Sequence, residues 1–157
     1  METCSYGPEY EKQFQGIITN VIPQLLGPLQ AHGRILRPTL VHGNLSDGNT
    51  ATDLQTGKTL LLGASALYAH NEYELGMWCV PTVRFDSSFF SQYFKEFPPC
   101  QPATQWQDRL VLYSLKFNLM YMVKCAGSSL IKKQYALFYS FSILANGSLR
   151  QLTRLCY

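Results

Sequence analysis

A polar loop at residues 42–49, enclosed by short segments with strand character, constrains the fold of this chain more than any other feature. The loop is rich in Gly, Asn, Asp and Ser, a composition typical of ordered connections. Residues 38–42 before it predict a short strand, and residues 50–54 and 59–62 after it flank a turn at residues 55–58, which predicts a β-hairpin. We therefore expect the loop at one end of a small sheet, where loops on a rigid scaffold often carry function.

The segments on either side of this region have helical periodicity. Before it, apolar residues recur at steps of three and four and predict a helix of about five turns, formed by Phe14, Ile17, Ile18, Val21, Ile22, Leu25, Leu26 and Leu29. Pro23 lacks a backbone donor, so we expect a kink or a restart at residues 20–22. Beyond Gly63 the patterns predict only helices, at residues 72–78, 87–97, 106–123 and 132–144. The expected fold class is α+β and mostly helical.

Length and composition favour one packed globular domain. The chain has 157 residues, of which 46% are hydrophobic and only 15% are charged, a balance that argues against a disordered segment. The net charge of +3 comes from scattered basic residues, so no nucleic-acid partner is expected. The apolar run at residues 135–145 is too short to span a bilayer, so no membrane partner is expected either. Five cysteines without a C-x-x-C pair, in a chain without a secretory signal, predict reduced thiols and a cytoplasmic protein.

Two sequence motifs carry chemical information. Residues 42–49 have the sequence H-G-N-L-S-D-G-N. In kinase-like phosphotransferases a loop of the form H-G-D-x-x-x-x-N supplies an Asp that accepts the proton of the attacking hydroxyl and an Asn that holds a magnesium ion. A second Asp, at the end of the following hairpin, holds metal across the phosphates. Further on, residues 68–77 have the sequence Y-A-H-N-E-Y-E-L-G-M.

Both motifs resemble those of the fructosamine-3-kinase family, which includes ketosamine-3-kinases and protein-ribulosamine 3-kinases. The family loop is H-G-D-L-W-x-G-N, its second signature is Y-x-H-x-E-Y-E-L-G-M, and T-A-T-D at residues 50–53 is similar to the fungal members. The resemblance implies the C-terminal lobe of a protein-kinase-like (aminoglycoside phosphotransferase-like) fold over residues 9–125, with the small hairpin next to the loop. We expect residues 1–8 to be disordered and residues 126–157 to form a divergent helical tail.

Three departures from the family pattern concern the chemistry. The position of the family's catalytic Asp holds Asn44, whose carboxamide cannot accept a proton from an alcohol, and the position of the family's Trp holds Ser46. The position of the metal-binding Asp holds Gly63, which has no side-chain ligand, so Asn49 would be left as a weak magnesium ligand. His42 belongs to the same catalytic-type loop.

The second motif supplies three further candidate residues. The resemblance implies that Glu74 braces the catalytic-type loop by accepting hydrogen bonds from its backbone or from His42. His70 is expected to belong to the same brace. Glu72 is expected on the substrate side of the site, with a role in the brace as the alternative.

The resulting hypothesis is a truncated, inactive member of a family that transfers the γ-phosphate of ATP to the 3-hydroxyl of ketosamines. The family uses Mg-ATP, and no cofactor is expected for this chain. The 41 residues before His42 contain no G-x-G-x-x-G pattern and are too few for the lobe that grips ATP in the family. The alternatives are an active protein-ribulosamine 3-kinase and a non-catalytic interaction module. Expected partners are a ketosamine or protein ligand, and a second copy bound through the face left by the missing lobe.

Overall fold

The computed structural model describes residues 8–124, with side-chain environments from residue 11 to residue 121. Within these residues the chain is α+β and mostly helical, as predicted, with five α-helices and four short strands. The predicted helix at residues 132–144 and the proposed divisions at residues 1–8 and 126–157 concern segments outside the described residues. None of the described helices is both long enough and apolar enough to cross a membrane.

The first helical segment changes its winding just before the proline. Helix α1 (Pro8–Gly16) continues into a π-helical turn (Ile17–Val21), then into α2 (Ile22–Leu26) and a 3-10 turn (Gly27–Gln30). Because Pro23 has no N–H, the wider turn before it is closed by the Ile22 N–H donating to the carbonyl of Ile17. The predicted kink or restart at residues 20–22 thus takes the form of a change in winding within a continuous helical segment.

The buried face of this segment is narrower than predicted. Every fourth residue is buried, namely Ile17, Val21, Leu25 and Leu29. Phe14 and Ile18, which were assigned to the same apolar face, are exposed instead. A stripe of one residue in four suits the wider π-helical turn, which returns to the same face later than an α-helical turn does.

The strands form two separate two-stranded antiparallel sheets. Strands β2 (Thr50–Thr52) and β3 (Thr59–Leu61) form the predicted hairpin, with Thr50 opposite Leu61 and with Gly57 at a φ of 69° in the turn. Strand β1 (Thr39–Val41) pairs with β4 (Leu67–Ala69). Strand β4 corrects the prediction that only helices follow Gly63, because a three-residue strand is too short to show a period in the sequence.

Backbone hydrogen bonds join the two sheets beside the polar loop. The loop at residues 42–49 leads from β1 to β2, and residues 62–66 lead from β3 to β4. The N–H of Leu62 donates to the carbonyl of Asn49 (2.9 Å), and the N–H of Ser65 donates to the carbonyl of His42 (2.9 Å). The end of the hairpin therefore lies directly against both ends of the loop.

The helical part of the fold packs around one long helix. After α3 (Glu72–Leu75), with its 3-10 extension Gly76–Cys79, come α4 (Ser87–Glu96) and α5 (Trp106–Lys124), close to the predicted bounds. Two apolar clusters meet α5: one includes the π-helical turn and α2, and the other includes α3, its 3-10 extension and α4. A Cβ on Gly76 would lie 2.7 Å from the Tyr113 backbone, so only glycine permits this close approach of α3 to α5.

Candidate functional site

Glu74 holds the start of the polar loop. Its carboxylate accepts hydrogen bonds from the backbone N–H groups of His42 and Gly43, the latter at 3.1 Å to each oxygen. Glu74 is only 6% exposed, so these charge-assisted bonds lie in a water-poor environment where they are strong. Gly43 has a φ of 72°, and a Cβ there would lie 2.4 Å from the carbonyl oxygen of Ser65. These contacts fix the position of the backbone at the start of the loop.

His42 connects the loop to the end of the hairpin. Its Nε2 lies 3.0 Å from the carbonyl oxygen of Leu62. Because a carbonyl can only accept, Nε2 carries the hydrogen in this contact, and Nδ1 is then free of hydrogen in the neutral ring. Among the described residues, this buried Nδ1 has no hydrogen-bond partner. His42 therefore contacts the hairpin through one ring nitrogen only.

The structure brings the three predicted chemical positions together in one network of amide hydrogen bonds. The side-chain Nδ2 of Asn44 donates to the carbonyl of Gly63 (3.0 Å). The Nδ2 of Asn49 donates to the backbone carbonyl of Asn44 (2.7 Å). Gly63 has a φ of 62°, and a Cβ there would lie 3.2 Å from Oδ1 of Asn49. We call Asn44, Asn49 and Gly63 the amide network.

The amide network does not fit a magnesium ion. Mg²⁺ in kinase-like phosphotransferases is held by at least one carboxylate, together with an asparagine oxygen and the substrate phosphates. Here both side-chain NH₂ groups act as donors within the network, and the remaining side-chain ligand atoms are neutral amide oxygens. A carboxylate at position 44 would face the Gly63 carbonyl where Asn44 now donates to it. The network therefore joins loop and hairpin by hydrogen bonds between neutral groups.

The two nearest acids in the sequence have other partners. Oδ1 of Asp47 accepts from the backbone N–H of Arg84 (3.3 Å). Asp53 lies in the hairpin turn, where it accepts from the hydroxyl of Thr56 (2.7 Å) and the N–H of Gln55 (2.9 Å). These bonds, that of the Thr56 hydroxyl first, hold the pKa of Asp53 below its usual value. None of these hydrogen bonds involves a residue of the amide network.

His70 and Glu72 belong to a second polar cluster rather than to the loop. His70 is buried, and its Nδ1 lies 2.8 Å from the hydroxyl of Tyr113. Burial is the main cause that lowers the pKa of His70 below its usual value. Among the described contacts, His70 makes no hydrogen bond to the loop, so its predicted bracing role would have to be indirect.

Glu72, which is predicted to lie on the substrate side, is paired with a buried arginine in the structure. It is 0% exposed and forms a two-point ion pair with Arg109, Nε to Oε2 at 2.6 Å and Nη2 to Oε1 at 2.8 Å. It also accepts from the backbone N–H of Cys100 (2.7 Å). The carboxylate is thus held by protein donors, and a role on the substrate side stays a prediction. The sequence analysis does not identify Arg109, because α5 also carries Asp108, Lys116 and Lys124 and no local pattern marks Arg109 as the buried charge.

A family model described as fructosamine kinase matches residues 6–139. This match continues past residue 126, where a divergent tail was predicted. A chloroplastic protein-ribulosamine 3-kinase from Oryza sativa subsp. indica is 35% identical over 82 residues, covering 52% of this chain and 23% of that protein. A ketosamine-3-kinase from Mus musculus is 34% identical over 97 residues, covering 60% of this chain and 27% of that protein.

A solved structure has the same fold. It belongs to a protein of Haemophilus somnus 129PT provisionally named a fructosamine-3-kinase, and it matches with a TM-score of 0.58 at 16% identity. The match covers 83% of this chain and 45% of that one. The chain thus corresponds to under half of the solved structure, and its alignments cover about a quarter of the two curated relatives named above.

Proposed function

Because the chain belongs to the fructosamine kinase family, we propose that it is a non-catalytic form of the family fold, unable to transfer the ATP γ-phosphate to a ketosamine hydroxyl. The amide network is the observation that carries this proposal. At the position of the family's general base, Asn44 donates a hydrogen bond to Gly63, which itself stands at the position of the metal ligand. Both catalytic charges are therefore replaced by neutral groups that bind each other.

The expected loss of rate is large. A general base contributes a factor of about 10²–10⁴ in rate, and Asn44 cannot take up the proton of the attacking hydroxyl. The metal ion neutralises charge on the transferring phosphoryl group, and Gly63 supplies no carboxylate to hold it. These two deficits have separate physical causes. Both deficits lie within residues 42–63, so they do not depend on which other segments of the family fold are present.

The first test uses the 157-residue chain with Mg-ATP and a peptide that carries a ribulosamine or fructosamine on lysine. We expect no magnesium-dependent heat of ATP binding in calorimetry and no transfer of labelled phosphate to the peptide. Measured transfer to the 3-hydroxyl would overturn the proposal and would support the alternative prediction, an active protein-ribulosamine 3-kinase.

The second test separates the site from the length of the chain. Residues 42–63 of this chain replace the corresponding loop and hairpin in a full-length, active ketosamine-3-kinase. We expect the rate to fall by a factor of at least about 10²–10⁴. The matched control is the same graft with Asn44→Asp and Gly63→Asp, in which activity should return. Loss of activity in both grafts would mean that other residues of the segment, and not these two, cause the defect.

A non-catalytic interaction module is the second candidate function, because the strands expose apolar side chains. Leu40, Leu60, Leu61, Leu62 and Tyr68 are between 46% and 73% exposed. Leu40 and Tyr68 face each other across β1 and β4, whereas Leu60, Leu61 and Leu62 follow one another at the end of the hairpin. Exposed apolar groups in such number can mark a surface for association. We propose self-association as the simplest use of this surface, with a ketosamine or protein ligand as the alternative partner. Sedimentation should show concentration-dependent association that Leu61→Lys weakens, and a monomer at every concentration would contradict it.

A further inference from the structure

His70, Glu72 and Cys100 form a cluster of potential metal ligands outside the amide network. Each offers one ligand atom, and the three atoms all lie within 4.8 Å of one another. His70 and Glu72 are buried, whereas Cys100 is only partly covered. Cys100 is thus the least covered member of the cluster.

The imidazole of His70 is held as metal-binding imidazoles usually are. Ligating histidines almost always have their second ring nitrogen fixed by a hydrogen bond, which sets the tautomer and the ring plane. Here the Tyr113 hydroxyl holds Nδ1 at 2.8 Å. Nε2 is buried and has no hydrogen-bond partner among the described residues. A buried ring nitrogen without a partner is costly, and a bound ion would relieve that cost.

Backbone contacts fix the position of the Cys100 thiol. Its own N–H donates to Oε1 of Glu72 (2.7 Å), and its carbonyl accepts from Nη2 of Arg109 (2.7 Å). Its Sγ lies 3.7 Å from Oδ1 of Asn71. The backbone at Cys100 is therefore anchored to α3 and α5 at two points. Binding an ion would then cost little conformational entropy in this segment.

Glu72 retains capacity to bind an ion beside its ion pair. Oε1 accepts two hydrogen bonds, whereas Oε2 accepts one, from Nε of Arg109. A carboxylate oxygen has two lone-pair positions, so one remains on Oε2. Arg109 offsets the charge of Glu72, and the thiolate formed when Cys100 gives up its proton would leave the cluster with one net negative charge to attract a dication.

The donor set selects the kind of ion. Mg²⁺ and Ca²⁺ take oxygen ligands, whereas nitrogen, sulfur and carboxylate oxygen together are typical of Zn²⁺ and its neighbours. A point exists within about 2.8 Å of all three ligand atoms, and zinc bonds of about 2.0–2.3 Å need only a small inward movement. We propose that His70, Glu72 and Cys100 form a zinc-class metal site with an open fourth position.

Cobalt binding to the whole chain tests this site. The protein is stripped with EDTA, freed of the chelator and titrated with Co²⁺, which takes the same ligands as Zn²⁺ and absorbs light. We expect one equivalent to bind with a thiolate-to-cobalt charge-transfer band, and Zn²⁺, but not an excess of Mg²⁺, to displace it. Absence of that band in the folded wild-type protein would overturn the proposal.

Three variants identify the ligands. Cys100→Ser should abolish the charge-transfer band, while Cys156→Ser, the matched thiol control, should keep it. Tyr113→Phe removes the group that holds His70 and should weaken affinity by about 10–100-fold while the band remains. Circular dichroism checks that each variant is folded. A band that survives Cys100→Ser, or disappears in Cys156→Ser, would place the ion on other thiols and reject this site.

Discussion

At the scale of single residues, Glu74 determines where the polar loop starts. Its two carboxylate oxygens accept hydrogen bonds from the backbone N–H groups of His42 and Gly43. A buried donor that loses its acceptor costs much more than the bond itself contributes. The resemblance to the family implied such a role for Glu74 from its position in the second motif, and the contacts agree with a brace of this kind.

Glu74→Ala should therefore destabilise the protein strongly. Two backbone donors lose a charged acceptor, so we expect the free energy of unfolding to fall by about 2–4 kcal/mol. Urea denaturation measures the loss. The control is Glu96→Ala, at an exposed position at the end of α4, which should change the value by no more than about 0.5 kcal/mol. Equal losses in the two variants would contradict the role of Glu74.

Gly43 and Gly57 offer a matched pair for the loop backbone. Both have positive φ, at 72° and 69°, but only Gly43 has backbone within reach of a Cβ. Gly57→Ala should lower the free energy of unfolding by about 1–2 kcal/mol, because a residue with a Cβ is strained at a positive φ. Gly43→Ala should cost clearly more, because its Cβ would lie 2.4 Å from the carbonyl oxygen of Ser65. Chemical denaturation of both variants measures these changes in the free energy of unfolding. Similar losses in the two variants would show that the loop can shift away from Ser65 to accommodate the Cβ.

At the scale of elements, helix α4 begins with a charged cap. Asp86 accepts from the N–H and the hydroxyl of Ser88, and these bonds, the hydroxyl first, hold the pKa of Asp86 below its usual value. A lowered pKa means that the cap stabilises the folded state above the unfolded pKa of about 4, and that this contribution disappears as the pH falls through the folded pKa.

Asp86→Asn should remove this part of the pH dependence. Asparagine caps a helix about as well as aspartate does, but it does not titrate. We expect the melting temperature of the wild type to fall more than that of Asp86→Asn between pH 5 and pH 3. Thermal scans at matched ionic strength measure the difference, and parallel pH profiles would contradict the prediction.

The elements themselves differ in how far they could be predicted. The hairpin followed from a turn with glycine between two β-rich segments, and α4 and α5 followed from aromatic and aliphatic residues at helical spacing. Strand β4 could not be found in this way, because Leu67–Ala69 has only three residues and its partner is β1. Pairing between distant segments leaves no local pattern.

At the scale of the whole molecule, one buried ion pair joins three parts of the chain. Arg109 of α5 binds both oxygens of Glu72 in α3 and also the carbonyls of Cys100 and Pro102 (3.0 Å for the latter). Both side chains of the pair are fully buried. Such a pair is costly to break from one side, because the remaining charge stays in a water-poor interior.

Arg109→Met should cost about 3–5 kcal/mol of unfolding free energy, because it leaves the Glu72 carboxylate unpaired. In the double variant Glu72→Gln with Arg109→Met, the free energy of unfolding should fall by less than the sum of the decreases in the two single variants. Urea denaturation of the four proteins in this cycle measures the coupling. Arg84→Met, at an exposed position, is the control and should lie within about 0.5 kcal/mol of the wild type. Additive losses would mean that the pair is not coupled.

The sequence by itself determined the fold class, the hairpin, most helices and the family, since these depend on local periodicity and on motifs of contiguous residues. Through the resemblance, it also predicts that an amide and a glycine occupy the positions of the family's two catalytic acids. Only the tertiary structure decided that Asn44 binds Gly63, that β1 pairs with β4, and that Glu72 is enclosed by Arg109. Local spacing indicates that a side chain is buried or polar. It does not specify the partner, because the partner comes from a distant segment that packing alone brings close.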